Sequence, residues 1–306
     1  MRVVFLGTPD FAVPVLRAIA AAKDVDLIAV ICNRDKPFGR KHVLTPPPVK
    51  VAAEALGIPV LQFDSIRKEG VEEFKNLRPD LAVTCAFGQI LSEEILSVPK
   101  LGTINVHASI LPRWRGASPI HYAILNGDKT TGITIMRTDA GIDTGDVILQ
   151  REIFIGETET CGELFERLSV LGAKCAVEGI DLIAQGKATF TRQDDGKATY
   201  SKMIKKEDAR IVWQDGAKRV VDKIRAMNPF PAAWTTLHGE TFKIYRAEVC
   251  DILGEAGKVI VSDKKLIVGT GKDSVSLLTV CAAGAKTMSA EDFLRGNGVP
   301  VGTVLE

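Results

Sequence analysis

An asparagine and a histidine stand two residues apart at the end of an apolar run, Thr103-Ile104-Asn105-Val106-His107. If this run is a β-strand, side chains alternate, so Thr103, Asn105 and His107 share one face and Ile104 and Val106 the other. Asn105 and His107 then reach toward one point. Histidine is suited to moving protons near neutral pH, and an asparagine amide N–H suits an oxygen that is gaining negative charge. The same pair also suits a strand end whose polar groups satisfy nothing but local backbone. A carboxylate that holds the imidazole in one tautomer separates the two readings. The segment DAGIDTGDV offers Asp139, Asp143 and Asp146 within eight residues. Asp143, flanked by turn formers between two strand signals, also reads as an ordinary aspartate turn.

The elements that must position these residues follow from the apolar pattern. RVVFLG reads as a buried parallel strand; Thr8, Pro9 and Asp10 turn the chain, an alanine-rich helix follows, and VDLIAVIC supplies a second strand from Val25. Val49 to Leu56 is helix-like, and Pro59–Gln62, Leu81–Ala86 and Thr103–His107 are further strands. The expected architecture is a Rossmann-like doubly wound α/β sheet. The first turn, Gly7-Thr8-Pro9-Asp10-Phe11, lacks the second and third glycines of a dinucleotide fingerprint, which disfavours NAD or FAD. Ligands of such sheets still sit at the carboxyl ends of the strands, where Asn105 and His107 lie.

From Gly132 the texture changes. GITIM and DVILQREIFI read as adjacent strands, and Thr160 with Glu163 forms a capping box opening a helix striped by Leu164, Leu168, Leu171 and Cys175 and stopped at Gly186. The polar segment 190–206 reads as a linker. Beyond it, Ala217, Val220, Val221, Ile224 and Met227 mark an amphipathic helix ended by Asn228-Pro229. The short strands FKIYRAE, KVIVS, LIVGTG and VSLLTV then suggest a small OB-like β-barrel, which periodicity alone does not separate from a sandwich. The expected division is 1–189, a linker at 190–206, and a carboxyl-terminal domain at 207–306.

At 306 residues and 46% hydrophobic content the chain supports full-sized cores, and its formal charge of +1 gives no overall polyanion signal. Local charge is informative instead. Arg34, Lys36, Arg40, Lys41 and Lys50 face a single acid, Asp35, giving +4 within seventeen residues, on a loop that also carries Gly39 and Pro46-Pro47-Pro48. Such a loop suits phosphates; the alternative is a solvated surface loop. From Glu207 onward thirteen Lys or Arg balance thirteen Asp or Glu, so nucleic-acid binding there requires charges gathered on one face. The six cysteines are scattered, with no C-x-x-C pair, which makes a metal site unexpected. Four apolar residues before Gly7 are too few for a signal-peptide core, and no stretch reaches membrane-spanning length, so a cytoplasmic setting without membrane contact is expected.

INVHASILPRWRGASPIH together with TTGITIMRTDAGIDTGDV resembles the tetrahydrofolate-dependent formyltransferases. GTPDFAVPVL, AFGQIL, YSKMIKKEDARIVW and IRAMNPFPAAW extend the resemblance nearly end to end, toward the branch acting on methionyl-tRNA. The resemblance implies transfer of the formyl group of 10-formyltetrahydrofolate to the methionine α-amine of initiator Met-tRNA, with no metal and no NAD, by a monomer. It matches Asn105, His107 and Asp143 to the catalytic trio. Asn105 and protonated His107 would stabilise the oxyanion, and Asp143 would orient His107 and help remove the amine's proton. It places Ser109, Ile110, Leu111 and Pro112 in the folate loop, with Phe87, Gln89 and Ile142 nearby. For tRNA it implies Arg40 in acceptor-stem recognition beside Lys41, which replaces a glycine of some relatives, and Lys36. Arg113 and Arg115 would extend that surface, with Trp114 stacking on a base or packing beneath the loop, and Lys205 and Lys206 would assist. Related enzymes formylate nucleotide-linked amino sugars or hydrolyse the donor; a tRNA-binding protein without catalysis is the rival from another class.

Overall fold

The computed structural model describes residues 1–39 and 42–306. Its contacts divide the chain into two units, each with its own core. The first comprises Met1–Pro119, Thr131–Ile153 and Phe165–Ser201; the second comprises Ile120–Thr130, Phe154–Leu164 and Lys202–Glu306.

The first unit is built on seven strands: β1 (Arg2–Gly7), β2 (Asp26–Cys32), β3 (Val60–Gln62), β4 (Leu81–Cys85), β5 (Thr103–His107), β6 (Thr130–Arg137) and β7 (Val147–Phe154). They lie side by side in the order β7-β6-β5-β4-β1-β2-β3. Strands β1 to β5 pair in parallel, and β6 runs antiparallel to β5. Burial on both faces explains their nearly continuous apolar sequences: Val3, Val4, Phe5 and Leu6 have no exposed surface, and neither do Leu81, Ala82 and Val83. The chain runs from β1 outward through β2 to β3, then returns to the other side of β1 as β4. The carboxyl ends of β1 and β4 therefore form a switch point, where such sheets bind ligands. Gly7 closes it by packing: a Cβ there would lie 2.9 Å from the Cys85 carbonyl oxygen. That close approach, not a pyrophosphate, accounts for the glycine that imitates a dinucleotide motif.

The helix Cys161–Ala184 begins with the expected capping box. The Glu163 carboxylate accepts from the Thr160 backbone N–H at 2.8 Å and from its hydroxyl at 2.9 Å, while the Glu163 N–H donates to the Thr160 hydroxyl at 3.3 Å. These bonds from Thr160, and then Arg246, hold the Glu163 carboxyl below the usual glutamate range.

The segment read as a linker differs from expectation. Residues up to Ser201 belong to the first unit: Thr191 bridges Val147, and Tyr200–Ser201 pairs in parallel with Arg115–Gly116. Gln193 and Ser201 are buried. Gln193, Thr199 and Ser201 spend their side chains on backbone groups of the unit.

In the second unit, β8 (Ala233–Leu237), β9 (Glu240–Cys250), β10 (Val259–Ser262), β11 (Leu266–Gly269), β12 (Ser274–Cys281) and β13 (Met288–Ser289) form one antiparallel sheet. The chain's last residues join its two edges, Leu305 bridging Leu237 of β8 and Val304 bridging Lys258 beside β10. Closure removes open edges and selects the barrel over the sandwich. Phe242, Ile244, Val268, Val275 and Leu305 fill the interior together with Val220 and Ile224 of the helix Ala217–Ala226. Among the described residues no helix is long and apolar enough to cross a membrane.

Candidate active site

Strand β5 delivers Asn105 and His107 to its carboxyl end, and the turn between β6 and β7 brings Asp143 to meet them. The Asn105 amide donates to one Asp143 carboxylate oxygen at 3.4 Å, and His107 Nδ1 lies 3.6 Å from the other. The first is a long hydrogen bond; the second is an ion-pair distance that a small closure would make a bond. Asn105 is fixed from behind by Thr84 of β4, whose hydroxyl donates to the amide oxygen at 2.8 Å and so turns the N–H₂ toward Asp143. His107 is 5% exposed, and its Nε2 lies 3.0 Å from the Trp114 carbonyl. A carbonyl only accepts, so Nε2 carries a proton and proton movement at this ring runs through Nδ1.

Of the three candidate aspartates, Asp139 takes the turn: its carboxylate accepts from the Gly141 N–H at 3.0 Å and from the Thr144 hydroxyl at 2.7 Å. Asp143, held at φ 54°, is the one whose carboxylate faces Asn105 and His107. Its carboxylate also accepts from the Gly116 N–H at 2.7 Å. Gly116 is irreplaceable by geometry, with φ 109° and a hypothetical Cβ 2.4 Å from the Ser201 carbonyl oxygen.

The loop 109–112 is anchored from below. The Thr134 hydroxyl donates to the Ser109 carbonyl at 2.6 Å and accepts from the Leu111 N–H at 3.1 Å, while Gln150 donates to the Leu111 carbonyl at 2.9 Å. Ser109 is fully buried and its hydroxyl donates to the Arg113 carbonyl at 2.6 Å, so its side chain closes the loop. Leu111 and Phe87 are core residues; Ile110 and Pro112 are half-buried, and Ile142 is 70% exposed. Gln89 is committed at the switch point, donating to Asn33 at 2.6 Å and to the Phe63 carbonyl at 2.9 Å and accepting from the Ile66 N–H at 2.7 Å. Its amide supports the site's floor.

The basic residues differ in exposure and in how far acids already hold them. Lys36, Arg113, Lys205 and Lys206 are exposed, and the Arg113 guanidinium sits 5.1 Å from the Trp114 ring centre. Arg40 and Lys41 lie outside the described residues. Arg34 is paired with Asp64 and Glu69, and Lys50 with Asp35 at 3.0 Å, so the local charge available to a phosphate is less than the sequence count. Arg115 corrects the sequence reading. It is 1% exposed, and its guanidinium donates to Gln193 at 2.9 and 3.1 Å and to Asp195 at 2.8 Å, leaving no route to a phosphate. Trp114, 8% exposed, packs beneath the loop.

Sequence reasoning missed Thr84 and Gln193. Thr84 had a signal, a lone hydroxyl in the apolar strand LAVTC beside the strand that carries Asn105. Gln193 had none, because it stands in a polar stretch that resembles a linker.

The formyl transferase family matches residues 1–180, and its carboxyl-terminal domain matches residues 203–298. Methionyl-tRNA formyltransferase of Bacillus subtilis is 46% identical over 99% of this chain and 97% of its own length. The enzyme of the same name from Geobacter metallireducens is 45% identical over 97% of this chain and 96% of its own length. Among solved structures, the N-formyltransferase of Helicobacter canadensis with folinic acid and dTDP-3-aminofucose matches with a TM-score of 0.68 at 19% identity, over 90% of this chain and 98% of that one. HypX of Aquifex aeolicus with tetrahydrofolic acid matches with a TM-score of 0.65 at 18% identity over 99% of this chain, which spans half of HypX. The structural likenesses carry the fold, and the sequence matches over nearly the full length place the chain in the methionyl-tRNA formyltransferase family.

Proposed function

We propose that the chain transfers the formyl group of 10-formyltetrahydrofolate to the α-amino group of methionine on initiator Met-tRNA, giving the formylmethionyl-tRNA used to start translation. One observation carries the reading: at the carboxyl end of β5 a single carboxylate, Asp143, stands 3.4 Å from the Asn105 amide and 3.6 Å from His107. In the transfer the amine attacks the formyl carbon, negative charge gathers on the formyl oxygen, the bond to folate N10 breaks, and N10 takes up a proton as the amine loses one. The Asn105 amide donates to the charged oxygen, His107 adds positive charge and a movable proton at Nδ1, and Asp143 receives the amine's proton directly or through water. Backbone groups of 109–112, with the accessible apolar surfaces of Ile110, Pro112 and Ile142, hold the folate.

In this reading the first unit, which reaches to Ser201, carries the chemistry, and the barrel of 207–306 contributes to tRNA binding. Lys36, Arg40, Lys41, Arg113, Lys205 and Lys206 supply cations to the tRNA backbone. The chain acts as a monomer in the cytoplasm, where charged tRNA and the folate donor meet.

The test offers 10-formyltetrahydrofolate with Met-tRNA, with a nucleotide-linked amino sugar, or with water alone. Release of tetrahydrofolate coupled to formylation of Met-tRNA, and slow in the other two arms, is expected. A formylated sugar, or donor hydrolysis as fast with water alone, contradicts the proposal.

A further inference from the structure

Three consecutive residues, Trp114, Arg115 and Gly116, hold the two reacting side chains from one side. The Trp114 carbonyl accepts a hydrogen bond from His107 Nε2–H, and the Gly116 N–H donates to the Asp143 carboxylate. Arg115 lies between them, and its side chain turns away into the protein. There the guanidinium meets the Gln193 side-chain oxygen through both Nε and Nη2. That fork fixes the orientation of the Gln193 amide, so its nitrogen faces the Asp143 turn. The two N–H groups are donated to the Asp143 carbonyl at 2.9 Å and the Gly145 carbonyl at 2.7 Å. All of these residues belong to the first unit.

The clamp sits where the backbone needs it. Asp143 adopts φ 54°, a left-handed conformation that costs a non-glycine residue roughly 1–3 kcal/mol and persists only when neighbours enforce it. Within its own turn, Asp139 bonds to Gly141 and Thr144 rather than to residue 143. Gln193 supplies two restraints, from a residue 50 positions away in the chain and itself buried. A buried arginine is costly to build for packing alone, and besides pairing with Asp195 this one orients an amide whose donors both end on the Asp143 turn.

We propose that Gln193, oriented by Arg115, is a positioning residue for Asp143: it sets the angle at which the carboxylate faces Asn105 and His107, and so governs the rate of formyl transfer without touching either substrate. The proposal rests on the formyl-transfer reading above. It also gives the buried arginine of the PRWRG motif a role inside the active site in place of tRNA contact.

The experiment is steady-state formylation of Met-tRNA by wild type, Gln193→Glu and Gln193→Met, with thermal unfolding measured on each. Gln193→Glu keeps the size and the acceptor for Arg115 but removes both donors; Gln193→Met removes both functions at similar volume. Displacement of a reacting group by about 1 Å costs on the order of 100-fold, so kcat is expected to fall by about 10- to 100-fold in both variants. KM for folate and for Met-tRNA should stay within about twofold of wild type, because neither substrate contacts residue 193. Equal kcat in wild type and Gln193→Glu overturns the proposal. So does a rise in either KM that accounts for the lost activity, or a drop in kcat matched by the fraction of unfolded protein at the assay temperature. Absence of Met-tRNA formylation by the wild type instead refutes the underlying reading of function, and is seen before any variant is compared.

Discussion

At the scale of single residues, the site is an arrangement of donors around one carboxylate. Asn105 and Gly116 donate to Asp143, His107 faces it through Nδ1, and Thr84 dictates which end of the Asn105 amide points inward. Thr84→Val keeps the shape of the side chain and removes the hydroxyl, leaving the Asn105 amide free to rotate. One hydrogen bond of this kind contributes about 1 kcal/mol, so single-turnover transfer should slow by about fivefold with KM unchanged. An unchanged rate would show that Asn105 is held by other means. The residue types and their spacing were legible in the sequence: alternation put Asn105 and His107 on one face, and the segment 139–146 supplied the carboxylate. Which aspartate served was not legible without the resemblance, because Asp139 and Asp143 both sit among turn formers and only the fold decides that Asp139 makes the turn.

At the scale of elements, the site depends on how loops are tied to the sheet. The short pairing of Arg115–Gly116 with Tyr200–Ser201 passes so close that residue 116 has no room for a side chain. Gly116→Ala is expected to destabilise the first unit by at least about 1–3 kcal/mol, from the positive φ alone, and to lower transfer by displacing the N–H that holds Asp143. Denaturant midpoints and single-turnover rates on the same preparation check both effects; a stable variant with full activity would contradict the packing described. This pairing explains why the linker reading failed for residues up to Ser201. Composition reports polarity, and polar side chains solvate a loop or satisfy buried backbone equally well. The capping box, by contrast, was legible, because its chemistry lies within four residues. It also carries a pH signature. Glu163 titrates below the usual glutamate range in the folded protein because of the Thr160 N–H and hydroxyl and then Arg246, so its stabilising contribution is complete above the unfolded value and disappears as pH falls through the lowered folded one. The difference in melting temperature between wild type and Glu163→Ala should therefore be present at neutral pH and close in acid; a difference independent of pH would assign it to packing.

At the scale of the whole molecule, the chain is nearly neutral yet is proposed to bind a polyanion, so binding must draw on particular cations. The barrel's balanced charges place no general demand on salt, and Arg34 and Lys50 are already paired with acids. Arg40→Glu is expected to weaken Met-tRNA binding and to reduce the slope of log affinity against log salt by about one, with folate affinity unchanged. Titrations at several salt concentrations measure this, and a superimposable tRNA curve would remove Arg40 from the interface. The doubly wound sheet and a small domain of short strands were readable from strand length, spacing and turn residues, though not the choice of a barrel over a sandwich. Closure of the barrel by Val304 and Leu305 was not, since two residues at a chain end carry no periodicity.

The central claim is that Asn105, His107 and Asp143 act together on a formyl group moving from folate to an amine. Single-turnover transfer from 10-formyltetrahydrofolate to Met-tRNA, with both saturating, measures it in wild type, Asn105→Ala, His107→Ala and Asp143→Ala. Each variant is predicted to lose about 100-fold or more in rate, the loss expected for an oxyanion donor or an acid–base group, while remaining folded. Rates close to wild type in all three would contradict the account.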